Sequence, residues 1–208
     1  MIEPVSRTRT RIPPAFAGQA IGLFGGSFDP PHEGHLLVAE TALVRLGLDR
    51  LWWMVTPGNP LKDTSGLAPL AERLAACDAL TSHPCIVVTA PEARLSSRFT
   101  ADTLATLVAR RPGARFVWVM GADNLATFHR WERWRTIADL MPIAVIDRPG
   151  ATLAFGNAPA AQALARYRVD EADARILPRL DPPAWTFLHG PRSGQSSTAL
   201  RAMRKRES

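Results

Sequence analysis

The sequence predicts an α/β fold in which a doubly wound parallel sheet carries helices on both faces. Short apolar runs alternate with helical patterns along most of the 208 residues. A glycine pair follows the first apolar run, and polar clusters follow several of the others. Strands that alternate with helices form parallel sheets, and such sheets bind ligands at the carboxyl ends of their strands. We therefore expect one sheet with its functional site along one edge.

Six runs have the composition of buried strands, and helical patterns lie between and after them. The predicted strands are Ala20–Phe24, Leu51–Val55, Ile86–Thr89, Phe116–Met120, Ile143–Ile146 and Trp185–Leu188. The predicted helices are 34–47, 69–81, 100–110, 131–140, 158–168 and 197–205.

The chain is expected to form one domain over residues 19–208, preceded by a flexible basic arm over residues 1–18 that contains three prolines. No apolar run reaches the roughly 20 residues of a membrane span, and the N-terminus lacks a signal-peptide core. Cys77 and Cys85 have no metal-ligand spacing and are predicted to be reduced core thiols. These features predict a cytoplasmic protein, and they leave its oligomeric state open.

The net charge of +6 is concentrated at the two ends of the chain. Residues 1–18 carry three arginines and one glutamate, and residues 196–208 carry three arginines, one lysine and one glutamate. The two ends thus hold five of the six net positive charges, and the remainder of the chain is nearly neutral. This distribution argues against a broad nucleic-acid-binding face and leaves solvated ends or an anionic small-molecule site.

The segment between the first strand and the first helix is predicted to bind phosphate. Gly25 and Gly26 let the backbone approach an anion closely, and the N-terminus of the following helix directs free amides and its positive dipole to the same place. His32 and His35 are three residues apart, so both can face one ligand from the first helical turn. Taken alone, the pair could also be a helix cap and a buried hydrogen bond.

Other polar clusters follow the second, fourth and last predicted strands. Lys62 lies in a loop rich in proline and glycine, and it is one of only two lysines among 25 basic residues. Gly121 and Asp123 follow the fourth strand, and the hydroxyl-rich segment Ser196–Arg201 suits the start of a helix. Lysine, arginines and helix N-termini at one edge suit a polyphosphate. Lys62 could equally be a solvated loop residue, and Asp123 could be a helix cap.

The phosphate site differs from two common nucleotide-binding motifs, since neither G-x-x-x-x-G-K-[ST] nor G-x-G-x-x-G occurs. Instead, Gly-Gly-Ser-Phe-Asp-Pro-Pro-His-Glu-Gly-His at 25–35, paired with Ser-Ser-Thr-Ala-Leu-Arg at 196–201, resembles the two signatures of the H-x-G-H nucleotidyltransferases. The chain further resembles the bacterial nicotinate mononucleotide adenylyltransferase family, over about residues 20–204. The segments that carry this resemblance are Pro57–Lys62, Phe99–Leu104, Gly121–Asn124, Phe128–Trp131 and Asp147–Gly150.

This resemblance implies a Rossmann-like fold of the nucleotidyltransferase type and transfer of AMP from ATP to nicotinate mononucleotide, with release of pyrophosphate. His32, His35 and Arg201 are the implied catalytic residues; the histidines bind phosphate oxygens as charge builds at the α-phosphorus. Mg²⁺ is expected with the ATP, bound mostly through phosphates and water. The residues implied to bind ATP are Gly25, Gly26, Ser27, Phe28, His32, His35, Lys62, Gly121, Asp123, Ser196, Ser197, Thr198 and Arg201.

The resemblance also implies how the acceptor is recognised. An indole stacked on the pyridinium ring and backbone amides at the carboxylate would favour nicotinate over nicotinamide. The stacking residue is Trp131, while Trp134, one turn further on, is predicted to pack in the core. The residues implied to bind nicotinate mononucleotide are Lys62, Thr100, Ala101, Asp123, Trp131 and Glu132. The loop at 57–62 reads Pro-Gly-Asn-Pro-Leu-Lys rather than the family's commoner form with a double proline, His and Lys, which puts its role in doubt.

Three other functions stay open at this stage. Another adenylyltransferase of the superfamily, acting on nicotinamide mononucleotide or pantetheine phosphate, would share both phosphate motifs. A non-catalytic nucleotide-binding regulator would keep the phosphate site without turnover, although intact His32, His35 and Arg201 argue against it. A nucleic-acid-binding module would use the basic ends and bind with a strong salt dependence.

Overall fold

Six strands made almost wholly of buried residues form the centre of the protein. This composition is expected of parallel strands covered on both faces. The computed structural model describes residues 5–58, 66–95, 97, 99–147, 155–191, 195, 197, 200 and 201. The strands are β1 (Ala20–Gly26), β2 (Arg50–Val55), β3 (Ile86–Thr89), β4 (Arg115–Gly121), β5 (Ile143–Ile146) and β6 (Trp185–Leu188).

Helices connect these strands and cover the sheet. The α-helices are α1 (Glu33–Leu46), α2 (Leu70–Leu80), α3 (Glu92–Leu95), α4 (Thr100–Arg110), α5 (Ala122–Phe128), α6 (Trp134–Leu140) and α7 (Pro159–Ala163). Three 3₁₀ segments lie before and after α7, at Phe155–Asn157, Ala165–Tyr167 and Glu171–Arg179. One buried cluster packs α4, α5, α6 and α7 on one face of the sheet, and a second packs α1 and α2 on the other. The predicted α/β fold with helices on both faces is confirmed.

All strand pairs are parallel, in the order β3-β2-β1-β4-β5-β6. From β1 the chain builds the sheet outward through β2 and β3, then returns to place β4 on the other side of β1. Strand order therefore reverses between β1 and β4. In doubly wound sheets a crevice opens at such a switch point, outside the carboxyl ends of the strands, and ligands bind there.

All six predicted strands are confirmed, and the helices differ in detail. The helix predicted over 131–140 begins only at Trp134, because Arg133 has a φ of 52° and interrupts the helical turn. The helix predicted over 158–168 is divided into α7 and the 3₁₀ turn that follows it. Of the helix predicted over 197–205, Ser197, Leu200 and Arg201 are helical, and the other positions lie outside the described residues.

Residues 9–18 contact the folded chain at several points. Arg9 pairs with Asp78 of α2 at 2.8 Å, and its backbone carbonyl accepts hydrogen bonds from Thr89 Oγ1 and from the amide of Ala90. Arg111 donates to the carbonyls of two further residues of the segment, at positions 12 and 13. These contacts oppose the expectation of a flexible arm for this part of residues 1–18. The division into an arm and one domain of residues 19–208 stays a prediction.

Two other expectations concern the environment of the chain. Within the described ranges, no helix is both long and apolar enough to cross a membrane. Cys77 is buried, Cys85 is half-buried, and both are free thiols. Burial raises the pKa of Cys77 to about 12, so this thiol is protonated and unreactive at neutral pH.

Candidate active site

The glycine pair ends β1, next to the point where strand order reverses. A Cβ at Gly25 would lie 2.6 Å from Cη2 of Trp118, and a Cβ at Gly26 would lie 3.0 Å from Cζ of Phe28. Both positions therefore lack a side chain partly because aromatic rings occupy that space. The sequence suggests another reason for glycine at these positions, the close approach of a phosphate, and the two reasons are compatible.

His32 and His35 lie side by side at the start of α1. Their ring centroids are 3.8 Å apart, and His32 is only 3% exposed, whereas His35 is half-buried. The backbone amide of His32 donates to Nδ1 of His35 at 3.2 Å, the reciprocal half of a capping box. Because Nδ1 accepts this bond, the proton of a neutral His35 ring must be on Nε2. His35 can therefore be a cap and a phosphate donor at once, so the two interpretations of the pair are compatible.

Aromatic rings fix the orientation of His35. Phe28 packs edge-on against it with centroids 4.9 Å apart, and Phe24 and Trp53 lie 6.2 and 6.3 Å away. Phe28 has a φ of 48° and is 1% exposed. Its buried ring thus supports the ring of His35. The expected contact between Phe28 and ATP gains no support from this geometry.

Residues near the C-terminal end of the described chain contact the turn between β1 and α1. Ser197 Oγ donates to the carbonyl of Pro30 at 3.0 Å, and Arg201 Nη1 donates to the carbonyl of Asp29. The side chain of Gln195 accepts from the amide of Glu33 at 3.2 Å. The structure therefore brings Ser197 and Arg201 to the same turn as Ser27 and the histidines. Ser196 and Thr198, also predicted at this wall, lie outside the described residues, as does Lys62.

A second group of predicted residues lies at the ends of β4 and α4. Trp131 is half-buried, with its ring in edge contact with Trp118 and Phe128 at 6.2 and 5.5 Å. Both contacts are T-shaped, with interplanar angles of 74° and 72°. Trp134 is 8% exposed and packs in the core, as predicted.

The other residues predicted to bind the acceptor lie in short turns. Thr100 and Ala101 form the first turn of α4, where backbone amides have no intrahelical partner. Glu132 is exposed and precedes Arg133, whose left-handed conformation ends the turn. Asp123 is exposed in the first turn of α5, and Gly121 is the residue that caps this helix. The alternative interpretation of Asp123 as the cap is therefore wrong.

Trp118 connects the two groups, and sequence reasoning treated it only as packing. Its ring touches the backbone of Gly25 on one side and the ring of Trp131 on the other. Its Nε1 is buried and has no hydrogen-bond partner in the described part of the chain. A buried N–H group without a partner is unfavourable, so the burial of Trp118 carries a cost in stability. No sequence signal distinguishes it from the other strand tryptophans.

Metal-binding side chains are scarce here. Across the described ranges, no three His, Cys, Asp or Glu side chains lie close enough together to hold a metal ion.

A parallel sheet whose switch point carries a glycine turn, a helix N-terminus and a histidine pair defines a nucleotide-binding α/β protein. The cytidylyltransferase-like family matches residues 23–203 of the chain. The chain belongs to this family and, by its relatives, to the nicotinate-nucleotide adenylyltransferases.

Two curated relatives and one solved structure illustrate the similarity. A probable nicotinate-nucleotide adenylyltransferase of Mesorhizobium japonicum is 60% identical over 194 residues, which are 93% of this chain and 100% of the relative. One of Rhizobium meliloti is 62% identical, over 88% of this chain and 97% of the relative. The nicotinic acid mononucleotide adenylyltransferase of Plasmodium falciparum shares the fold, with a TM-score of 0.65, 17% identity, and coverage of 88% of this chain and 83% of that one.

Proposed function

We propose that this protein transfers the adenylyl group of ATP to nicotinate mononucleotide, giving nicotinate adenine dinucleotide and pyrophosphate in NAD biosynthesis. The observation that supports it most is the position of two groups on either side of the switch point: a phosphate-type histidine pair after β1 and a half-buried tryptophan after β4. The names of relatives about 60% identical over nearly the whole chain support the same reaction.

The proposed reaction is an in-line attack by the acceptor's 5′-phosphate on the α-phosphorus of ATP. The nucleophile arrives as an anion, so little proton transfer is needed, and catalysis rests on positioning and charge stabilisation. His35 would donate through Nε2 to an α-phosphate oxygen as negative charge builds there, with His32 beside it. Arg201 has five N–H donors in a planar fork, so it can bond the carbonyl of Asp29 and a phosphate together.

The acceptor would bind where Trp131 and the first turn of α4 approach each other. Stacking on the indole holds the pyridinium ring, and the amides of Ala101 and Glu132 would donate to its carboxylate. A carboxamide presents an NH₂ group to the same donors, so nicotinamide mononucleotide should bind more weakly. Asp123, exposed beside this region, would accept from a ribose hydroxyl.

We propose that magnesium enters with ATP as part of the substrate. The described residues offer no group of three side-chain ligands, and Mg²⁺ keeps several waters and binds readily to substrate phosphates. The metal would offset phosphate charge, while the protein orients the phosphates. Lys62, Ser196 and Thr198 stay predictions as phosphate contacts, and residence in the cytoplasm stays a prediction as well.

The direct test incubates the full chain with ATP and Mg²⁺ together with nicotinate mononucleotide, nicotinamide mononucleotide or pantetheine phosphate. Pyrophosphate release is followed, and the dinucleotide product is identified by mass. We expect the highest kcat/KM with nicotinate mononucleotide. A preference for another acceptor would assign a different adenylyltransferase, and ATP binding without pyrophosphate release would indicate a non-catalytic regulator.

A further inference from the structure

Arg73 of α2 is a charged side chain inside the protein, only 3% exposed. Its guanidinium donates to four backbone carbonyls. Nε bonds Ala68 at 2.8 Å, Nη1 bonds Ser27 and Thr56 at 2.7 Å each, and Nη2 reaches Pro57 at 3.3 Å. One planar group therefore joins three separate parts of the backbone.

Two of these parts border the candidate active site. Ser27 belongs to the turn that leads from the glycine pair to the histidines, and Thr56 and Pro57 directly follow β2, the neighbour of β1. Ala68 precedes α2, so Arg73 also joins the two ends of the connection between β2 and α2. No side chain other than Arg73 itself takes part in these four bonds, and the sequence carries no sign of them.

The same turn is held from a second direction. Arg201 donates to the carbonyl of Asp29, and Ser197 donates to that of Pro30. Together with the bond from Arg73 to Ser27, donors outside the turn bind three of its carbonyls. A carbonyl held in this way does not turn its negative end toward a phosphate, so the turn keeps a geometry suited to an anion.

The charge of Arg73 adds to this effect. Burial lowers the pKa of Arg73, and the nearby carboxylate of Asp29 raises it. Arginine stays protonated in proteins, so a positive charge lies beneath the turn. Asp29 is 5% exposed and offsets part of that charge.

We propose that Arg73 is a positioning residue for ATP. Arg73 holds the 27–30 turn and the end of β2 in the arrangement that receives the phosphates. This inference rests on the proposed adenylyl transfer for its substrate. Its geometry is specific to arginine. A lysine keeps the charge but offers three donors around one nitrogen, which cannot reach four carbonyls spread along a planar fork.

The test compares Arg73→Lys and Arg73→Gln with Arg111→Lys in the full chain. Arg111 is a matched control, since it also donates to backbone carbonyls, at positions 12, 13 and 110. It follows the C-terminal end of α4, roughly 15 Å along the helix from the first turn at the site. Kd for ATP with Mg²⁺ is measured without acceptor, and KM for each substrate, kcat and thermal unfolding are measured as well.

We expect Arg73→Lys to remain folded and to bind ATP about tenfold or more weakly, because a displacement of about 1 Å in a binding group has effects of that size. In Arg73→Lys, KM for nicotinate mononucleotide should stay within about twofold of wild type. Arg111→Lys should match wild type in Kd for ATP, in KM for each substrate and in kcat.

Three outcomes would overturn the proposal. Arg73→Lys could bind ATP as tightly as wild type, which would leave only the charge or volume of Arg73 as its role. Both variants could lose kcat in proportion to their folded fraction with KM unchanged, or could fail to fold, and either result would assign Arg73 to stability alone. Because ATP affinity is measured without acceptor, a wrong acceptor assignment would leave this test intact.

Discussion

The two ring nitrogens of His35 divide an observed capping role from a proposed catalytic role. Nδ1 accepts from the amide of His32, so Nε2 carries the proton that a phosphate oxygen can accept. We expect His35→Ala to lower kcat by about 100- to 1,000-fold, the usual effect of removing one donor to transition-state charge. The rate of pyrophosphate release at steady state measures this change in kcat.

His83→Ala is the matched control for this variant. Nδ1 of His83 also accepts a backbone amide, that of Cys85 at 3.1 Å, but it lies before β3 at the opposite edge of the sheet. The control should keep wild-type turnover. Near-normal turnover of His35→Ala, or an equal loss in both variants, would remove His35 from the catalytic site.

Trp131 should affect one substrate more than the other. Stacking of an aromatic side chain on a base contributes about 1–3 kcal/mol, so Trp131→Ala should raise KM for nicotinate mononucleotide by about 5- to 150-fold. KM for ATP should change little, and Trp131→Phe should lie between the variant and wild type because it keeps an aromatic face. Initial rates at varied concentrations of each substrate give both KM values. An equal rise in KM for both substrates would contradict the stacking role.

The sequence predicts residues that act through their own chemistry better than residues that act through the backbone. His32 and His35 stand out by residue type and spacing, whereas Trp131 stands out only through the resemblance to a family. Arg73 does not, because its partners are carbonyls, which every residue has. Phe28 shows the reverse case: its place in a conspicuous motif predicts a ligand contact, whereas the structure uses its ring to support His35.

At the scale of elements, α3 and α4 meet through a half-buried carboxyl group. Glu92 of α3 accepts from Thr103 Oγ1 of α4 at 3.3 Å, and that hydroxyl lies 2.6 Å from Ser97 Oγ between the two helices. Burial raises the pKa of Glu92 to about 7, and the Thr103 bond lowers it in part. The ordinary pKa of a glutamate is 4.5. Between pH 4.5 and about 7, therefore, Glu92 holds a proton in the folded state that it has lost in the unfolded chain.

We therefore predict that Glu92 makes the protein less stable as pH rises from about 4.5 to about 7, with no further change above that. Glu92→Gln stays neutral, so its stability relative to wild type should increase over the same range, by on the order of 3 kcal/mol in full. Urea unfolding of both proteins at pH 5 and pH 8 measures the difference. A difference that does not depend on pH would show that Glu92 does not titrate in this range.

Helix prediction failed where helices are short. The α5 helix has seven residues and α3 has four, too few for a hydrophobic period to show in the sequence. The 3₁₀ segment Glu171–Arg179 contains Pro178, which argues against an α-helix. The strands were predicted well, because burial on both faces makes each one a nearly continuous apolar run.

For the whole molecule, strand order decides which strand ends, and so which loops, lie next to each other. Helix–strand alternation predicts a doubly wound sheet, yet only the structure shows that order reverses between β1 and β4. That reversal places the ends of β1 and β4, which lead toward the histidine pair and toward Trp131, next to each other. The sequence could link them only through the resemblance of separate motifs to one family.

The N-terminal segment offers a last test at this scale, since removing a flexible arm would leave stability unchanged. Arg9 and Arg11 supply carbonyls to Thr89, Arg9 also bonds the Val88 carbonyl through its side chain, and Ile12 packs against the core. At a net of about 1 kcal/mol for each hydrogen bond, we expect deletion of residues 1–18 to lower the free energy of unfolding by about 2–4 kcal/mol.

Urea unfolding of the shortened and full chains measures this change, with Arg7→Ala as a control because Arg7 is exposed. Arg9 and Arg11 bond Thr89 at the carboxyl end of β3, the edge strand, which β2 separates from β1 and the histidine pair. KM for ATP should therefore stay the same at temperatures where the shortened chain is folded. Equal stability of the two chains would restore the flexible arm, and a raised KM for ATP would extend the role of residues 1–18 to the site itself.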